Sequence, residues 1–401
     1  MHQHLPLEKA VALLLEHNHA SNASETLPLS QALGRVLAGD LFAQIAQPPF
    51  SRSPLDGYAV RYEDIANAGP SSPARLSVTQ EIFAGDAPQK PLQEGEAARI
   101  MTGAPLPVGT SAVVRQEDTD EGGETVQIFE TLGKGANLCL QGEDVQKGQP
   151  LLQGGSFLNS SAIGILAGQG LRQVSVYPKP KVGILSTGSE LAELGAPLAE
   201  GKIYDSNLHL LCARVRELGG ISKGVVAPDV PNTLLAELET LHAENDLVVS
   251  TGGVSVGRHD YMYEVGQKAE ASPLFKGVAV KPGSPAIGFL KQGKTILCLS
   301  GNPFAAFATF EMLAVPCILQ KGGNRHPLPQ RSGGFLENDF HKPSPCRRLL
   351  RASLRDGKVY LPKKHASGML SSLVNCNCLL DIPAGSGPLS RGDAVTVMLL
   401  R

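Results

Sequence analysis

A chain of 401 residues is too long for one ordinary hydrophobic core, so two to four domains of roughly 100–150 residues are expected. Hydrophobic residues at 42% against charged ones at 18% exclude disorder, and 36 basic against 38 acidic side chains leave a net charge of -2, which offers no footprint for nucleic acid or an anionic membrane. Seven cysteines without a C-x-x-C pair point away from a disulfide framework or a zinc ribbon, and toward a reducing cytoplasm.

The opening MHQHLPLEKAVALLLEHNHA lacks the basic start and the apolar run of a signal peptide. No segment approaches the ~20 apolar residues of a membrane span, so a soluble cytoplasmic protein is expected. Pro6 suits a first helical turn, and Leu7, Val11, Leu14 and Leu15 recur at helical spacing, giving one amphipathic helix. From Gln47 to about Pro150 short apolar runs are cut by Gly and Pro, the texture of a β-rich block. Within it SAVVRQEDTDEGGETVQIFETL predicts a hairpin around Gly122-Gly123.

From Pro180 apolar strands alternate with amphipathic helices. KVGILSTG is followed by a helix that Asp205 or Ser206 can cap, with Leu208, Leu211, Cys212, Val215 and Leu218 on one face and Gly219-Gly220 as its stop. Next come KGVVAPD, a helix opened by Pro231, the strand before TGGVSVGRHD, and TILCLSGNP running into a last helix. Strands apolar on both faces that alternate with helices imply a doubly wound parallel sheet. After the linker QKGGNRHPLPQRSGG the tail returns to short strands, with a hairpin at Asp356-Gly357 and DAVTVMLLR as a closing strand. The expected division is an N-terminal helix at 1–26, a linking domain at 27–46 and 146–178, a β-rich domain at 47–145, the α/β domain at 179–322 and a small C-terminal β-barrel-like domain at 323–401.

Three strands of the sheet end alike, at Ser186-Thr187-Gly188, Ser250-Thr251-Gly252-Gly253 and Ser300-Gly301-Asn302-Pro303. Ligands of open parallel sheets sit beyond such carboxyl ends, where glycine lets a phosphate approach main-chain N–H groups. A single Gly/Ser turn is commonly only a tight βα connection; three in one sheet favour a site. Glu190, Asp205, Asp229 and Asp260 stand near these loops. Carboxylates repel a phosphate unless a divalent cation intervenes, and Mg²⁺ typically takes one or two of them plus phosphate oxygens. Asp205 as a mere helix cap and Glu190 as a solvated helix acid are the plain alternatives.

TGGVSVGRHD, GKIYDSN, STGSEL, KPGSPAIG and SGNP, preceded by LDGYAV, RIMTGAPLPVGTSAVV and GANLCLQGEDV and followed by SGML and GDAVTVMLL, together resemble the molybdopterin molybdenumtransferase family, which includes MoeA and the E domain of gephyrin. The resemblance implies an enzyme that takes adenylylated molybdopterin, cleaves the adenylate with Mg²⁺ and inserts molybdenum from molybdate. It also implies a homodimer with a cleft shared between subunits, and transient contact with the molybdopterin adenylyltransferase. Carried over by motif, Asp56, Thr102, Asp144, Glu190, Asp205, Asp260 and Lys281 match its catalytic positions. Ser186, Thr187, Gly188, Ser206, Asn207, Gly252, Gly253, Ser255, Gly257, Gly301, Asn302, Pro303 and Ser367 fall to substrate binding. Asp205 and Asp260 are the candidates for Mg²⁺ or for donor groups on the pterin, Gly252, Gly253, Ser255 and Gly257 for phosphate or pterin polar groups, and Lys281 for an oxyanion.

The pattern departs from the family at Ser284, where a second lysine is common, and at Leu138, Cys139 and Leu140, where arginines are frequent. Two sources of positive charge are absent, and Arg52 or Arg258 are candidates to replace them. A paralogue that carries molybdopterin or another oxyanion-bearing ligand, without insertion, is the alternative from another class. The sheet alone also resembles the molybdopterin adenylyltransferase and the competence-damage-inducible protein domain. LDGYAV, RIMTGAP and the C-terminal β-domain count against that reading.

Overall fold

Strands that are apolar on both faces need cover on two sides, and from Lys181 onward the fold supplies it. The computed structural model describes residues 2–254 and 261–400. The chain forms two units, one of residues 1–39, 154–159 and 173–401, the other of residues 40–153 and 160–172.

At the centre of the first unit, Ile221–Ala227, Lys181–Thr187, Leu247–Thr251 and Lys294–Leu299 are parallel neighbours in that order. Val182, Ile184, Leu247, Val249, Leu297 and Leu299 pack on one side with the helix Ser206–Glu217 through Leu208, Leu211, Cys212 and Val215, and with the N-terminal helix Leu7–Glu16. The alternate residues Leu185, Val248, Ile296 and Cys298 pack on the other side with Leu234, Leu238 and Leu241 of Pro231–Glu244. This two-faced alternation is the doubly wound arrangement, each buried Leu contributing about 1.5–3 kcal/mol.

One edge of the sheet is mixed rather than parallel. Ile287–Lys291 runs antiparallel to both Lys294–Leu299 and Ser272–Val278, because Gln292 (φ 48°) and Gly293 (φ 76°) close a two-residue hairpin with both residues left-handed. A short strand, His2–Leu5, completes that edge parallel to Ser272–Val278; no sequence pattern announced it. Beyond the sheet, Arg331–Leu336, Lys358–Tyr360, Arg347–Arg355, Cys378–Ile382 and Ala394–Leu399 pair around a closed five-stranded barrel. Its hairpin turns at Asp356 (φ 48°) and Gly357 (φ 74°), as the sequence indicates.

The stretch Pro303–Lys321 is 19 residues long with mean hydropathy 1.4, so one segment does have the length and apolarity of a span; 83% of its apolar stretch is buried inside the protein, as a core helix requires.

In the second unit the sheet order is Ala112–Arg115, Gly57–Val60, Glu96–Ile100, Ala74–Ile82 and Thr125–Ile128. The expected hairpin between Ala112–Arg115 and Thr125–Ile128 does not form, since these strands lie at opposite edges of the sheet. A 3-10 turn at Gln116–Asp118 carries the chain out of strand direction, and Asp120 closes the following turn by accepting from Gly122 N (3.3 Å) and Gln127 N (2.8 Å). The Gly-Gly turn is real, but its partner strand is elsewhere.

Candidate active site

The three strand ends lie side by side. A Cβ on Gly252, whose φ is +102°, would stand 2.3 Å from Thr187 O, and one on Gly301 would meet Gly252 Cα at 3.5 Å. Glycine here permits close approach of neighbouring chains. They open into a cleft of about 460 Å³ lined by all three ends, by Glu190 and by the Asp205–Asn207 start of the next helix.

The floor is cross-linked by its own polar groups. Asn207 Nδ2 donates to Thr251 Oγ1 (3.0 Å) and to Gly301 O (2.8 Å), while Thr251 Oγ1 donates to Ser300 O (3.0 Å). Both carboxylate oxygens of Asp229 are engaged, one by the Thr187 hydroxyl and the other by Ser189 N (3.2 Å), so this acid locks the Thr187–Ser189 turn. Gly252 N donates to Leu299 O at 3.1 Å, so its N–H is spent inside the sheet and cannot serve a phosphate, contrary to the sequence-based expectation. Glycine at this position serves packing.

Asp205 is the helix cap, its Oδ1 accepting from Leu208 N at 3.0 Å. Among the described residues its Oδ2 is buried without a hydrogen-bond partner, as is Oδ1 of Asn207, and both residues line the cleft. An orphaned carboxylate oxygen costs free energy unless a cation or a donor meets it. Glu190 is exposed and lies in a turn before the short strand Leu191–Ala192 rather than in a helix; its carboxylate lies over Gly188. Ser186, Ser206, Gly253, Asn302 and Pro303 are also part of the lining.

Lys281 and Ser367 approach from the barrel side without lining the cleft. Val280–Lys281 pairs with Arg347–Arg348, and the loop after it packs at Gly283 on Thr309 of the helix that starts at Pro303. Ser367 O accepts from Phe304 N at 2.9 Å, one residue beyond Pro303. Arg351 holds that loop. Fully buried, its guanidinium bonds Met369 O and Ala366 O and stacks 4.1 Å over the Phe304 ring, with Nε unpartnered among the described residues. Sequence reasoning missed this residue, because an isolated arginine in an apolar strand is ordinarily a surface charge. Lys202, whose ammonium bonds Ser189 O at the rim of the cleft, was missed as well.

In the second unit Asp56 Oδ1 accepts from Thr102 N (2.7 Å) and Thr102 Oγ1 (2.8 Å). The main-chain bond first, and then the hydroxyl, hold the Asp56 carboxyl below its ordinary pKa. Asp144 is exposed, and its N–H donates to Gln47 O at 3.1 Å. Arg52 pairs by main chain with Cys139 in both directions (2.9 and 3.0 Å), which sets it beside the segment where family arginines are lacking. The other charge-poor position, Ser284, has its Oγ 3.4 Å from His4 Nδ1. Ser255, Gly257, Arg258 and Asp260 lie outside the described residues.

Among the described residues no three His, Cys, Asp or Glu side chains gather as a metal cage. Among the described residues Asp205 Oδ2 and the Glu190 carboxylate are hard oxygen donors at the cleft, of the kind Mg²⁺ takes together with substrate oxygens.

Comparison with known proteins covers the whole chain. Three family models match in order: "MoeA N-terminal region (domain I and II)" over residues 5–170, "Probable molybdopterin binding domain" over 183–320, and "MoeA C-terminal region (domain IV)" over 334–400. The molybdopterin molybdenumtransferase of Staphylococcus epidermidis is 34% identical over 401 residues, covering 98% of this chain and 95% of that protein. Its namesake from Staphylococcus aureus is 34% identical over 402 residues with the same coverage. The crystal structure of the molybdopterin biosynthesis moeA protein from Pyrococcus horikoshii OT3 superposes with a TM-score of 0.87 at 31% identity, over 99% of this chain and 100% of that one.

Proposed function

We propose, from the premise that the chain belongs to the molybdopterin molybdenumtransferase family, that it inserts molybdenum from molybdate into adenylylated molybdopterin with Mg²⁺-dependent release of AMP. One observation carries this reading: three strand ends packed into a cleft where Asp205 Oδ2 is a buried acceptor with no partner among the described residues.

In this reading the cleft holds the pterin and its phosphate. Asp205 Oδ2 and Asn207 Oδ1 accept from pterin N–H groups or face the cation, Ser186 and Ser206 offer hydroxyls, and Asp229 keeps the Thr187–Ser189 turn in place. When bound, Mg²⁺ supplies charge neutralisation at the phosphate and polarises its oxygens for adenylate cleavage. Lys281 brings a point charge to the oxyanion side, where Ser367 borders the helix start at Phe304. Asp260, Ser255 and Gly257 belong to the same proposal through their motif, as do Glu190, Asp56, Thr102 and Asp144.

The proposal extends to a cytoplasmic homodimer with the cleft shared between subunits, receiving adenylylated pterin by transient contact with the adenylyltransferase. It keeps the division at 1–26, 27–46 with 146–178, 47–145, 179–322 and 323–401, which the two separate sheets and the barrel support. A carrier without insertion finds no support in relatives that bear the transferase name over 95% of their length. Complementation of cells lacking their own insertase tests the reading. Restored molybdoenzyme activity is expected, and failure to restore it with soluble, folded protein, together with no AMP release from adenylylated molybdopterin in vitro, would sink it.

A further inference from the structure

Two helices begin at the cleft, Ser206–Glu217 at Asp205 and the long helix that opens at Pro303, and they are tied to each other twice. At the cleft the tie is Asn207 Nδ2 to Gly301 O, 2.8 Å. Seven residues on, and so on the same face, Arg214 Nε donates to Glu311 Oε1 (2.7 Å) and Nη2 to Oε2 (3.2 Å). Both side chains are buried, at 7% and 5% exposure, and Nη1 of the same guanidinium reaches Glu217 (2.9 Å).

Glu311 does not sit in a regular helix. Phe310–Ala314 is a π turn between Pro303–Thr309 and Val315–Lys321. Pro316 accounts for it: proline has no N–H for the carbonyl four residues back, Met312, and its ring would strike that oxygen, so the preceding turn widens. The widened turn carries Glu311.

Around the pair the packing is apolar, with Leu211, Val215, Leu313 and Ala314 in one core cluster. Such packing suffices to hold two helices together, and a buried ion pair is often no more stabilising than hydrophobic residues of equal volume. What a two-bond fork adds is a fixed distance and orientation. We propose that Arg214 and Glu311 are positioning residues: their fork fixes the separation between Asp205 Oδ2 and the Ser300–Pro303 turn, and through it the fit of the substrate. The inference rests on reading the cleft as the substrate site.

The test uses the full chain carrying Arg214→Met with Glu311→Leu, and separately Arg214→Lys, which keeps the charge and loses the fork. For the double variant the thermal midpoint should stay at or above that of the parent. Amide hydrogen exchange at Leu208 and Phe304, the first-turn amides bonded to Asp205 Oδ1 and Ser367 O, should accelerate about ten-fold or more. KM for adenylylated molybdopterin should rise by about ten-fold while kcat changes less, and Arg214→Lys should fall between the double variant and the parent. Parental exchange at both amides with parental KM in the folded double variant overturns the proposal. If that variant does not fold, parental exchange and KM in Arg214→Lys overturn it. Should the parent itself show no turnover, the substrate reading falls, and exchange at the two amides still decides for or against the pair.

Discussion

Asp205→Asn separates two roles that one carboxylate combines. Oδ1 caps the helix through Leu208 N at 3.0 Å, and Asn caps as well as Asp, so the cap's contribution of about 1 kcal/mol survives the substitution. Oδ2 is buried with no partner among the described residues, in a residue only 5% exposed, and an unmet acceptor of this kind costs the free protein about 1–3 kcal/mol. Removing its charge therefore leaves stability unchanged or slightly higher. A ligand loses much more, because a hydrogen bond to a charged group is worth about 1.5–3 kcal/mol. At about 1.4 kcal/mol per factor of ten, that is roughly 10- to 150-fold in affinity. Asp205→Ser, which also caps but is too short to place an oxygen at the same point, should match Asn in both respects. Calorimetric titration with adenylylated molybdopterin and Mg²⁺, beside thermal melts of the same samples, reads the two quantities independently. Parental affinity in both variants would refute a ligand at Oδ2, and marked destabilisation of Asp205→Asn would show that the oxygen has a partner within the protein.

Thr102→Val removes the hydroxyl that bonds Asp56 and should move the Asp56 carboxyl back toward its ordinary pKa, followed by carboxyl NMR titration; no movement would contradict the geometry. Because the folded-state value is lowered, this acid's contribution to stability is present above its unfolded pKa of about 3.9 and is lost as pH falls through the folded value, so the variant should carry a smaller contribution and finish losing it at higher pH than the parent. Gly252→Ala puts a Cβ 2.3 Å from Thr187 O at φ +102°, and should cost more than about 3 kcal/mol in denaturant unfolding; a loss within 1 kcal/mol would mean the strand ends move apart freely.

What the sequence made legible was local. Asp205 and Gly219 mark the ends of one helix, Pro231 the start of another, and Asp356-Gly357 a two-residue turn, because each states a backbone requirement within a few residues. Pairings that depend on distant chain were hidden. Thr125–Ile128 passes over the strand nearest in sequence for Ala74–Ser77, and His2–Leu5 joins the sheet by main-chain bonds that need no apolar pattern. Arg351 and Glu311 were illegible for another reason: burial of a charge depends on partners that no pattern names, here two loop carbonyls in one case and a guanidinium from another helix in the other.

The strand ends were predicted as a main-chain cradle for an anion, and the geometry changes the weight of that picture. Gly252 spends its N–H on Leu299 and earns its place by letting three chains converge, while the Asn207 amide spends its donors on Thr251 and Gly301. In the cleft the buried side-chain atoms left without a partner among the described residues, Asp205 Oδ2 and Asn207 Oδ1, are both acceptors. Acceptors do not attract a phosphate; they attract a cation or the N–H groups of a heterocycle. The described part of the cleft thus offers these two acceptors beside the hydroxyls of Ser186 and Ser206 and the exposed Glu190 carboxylate.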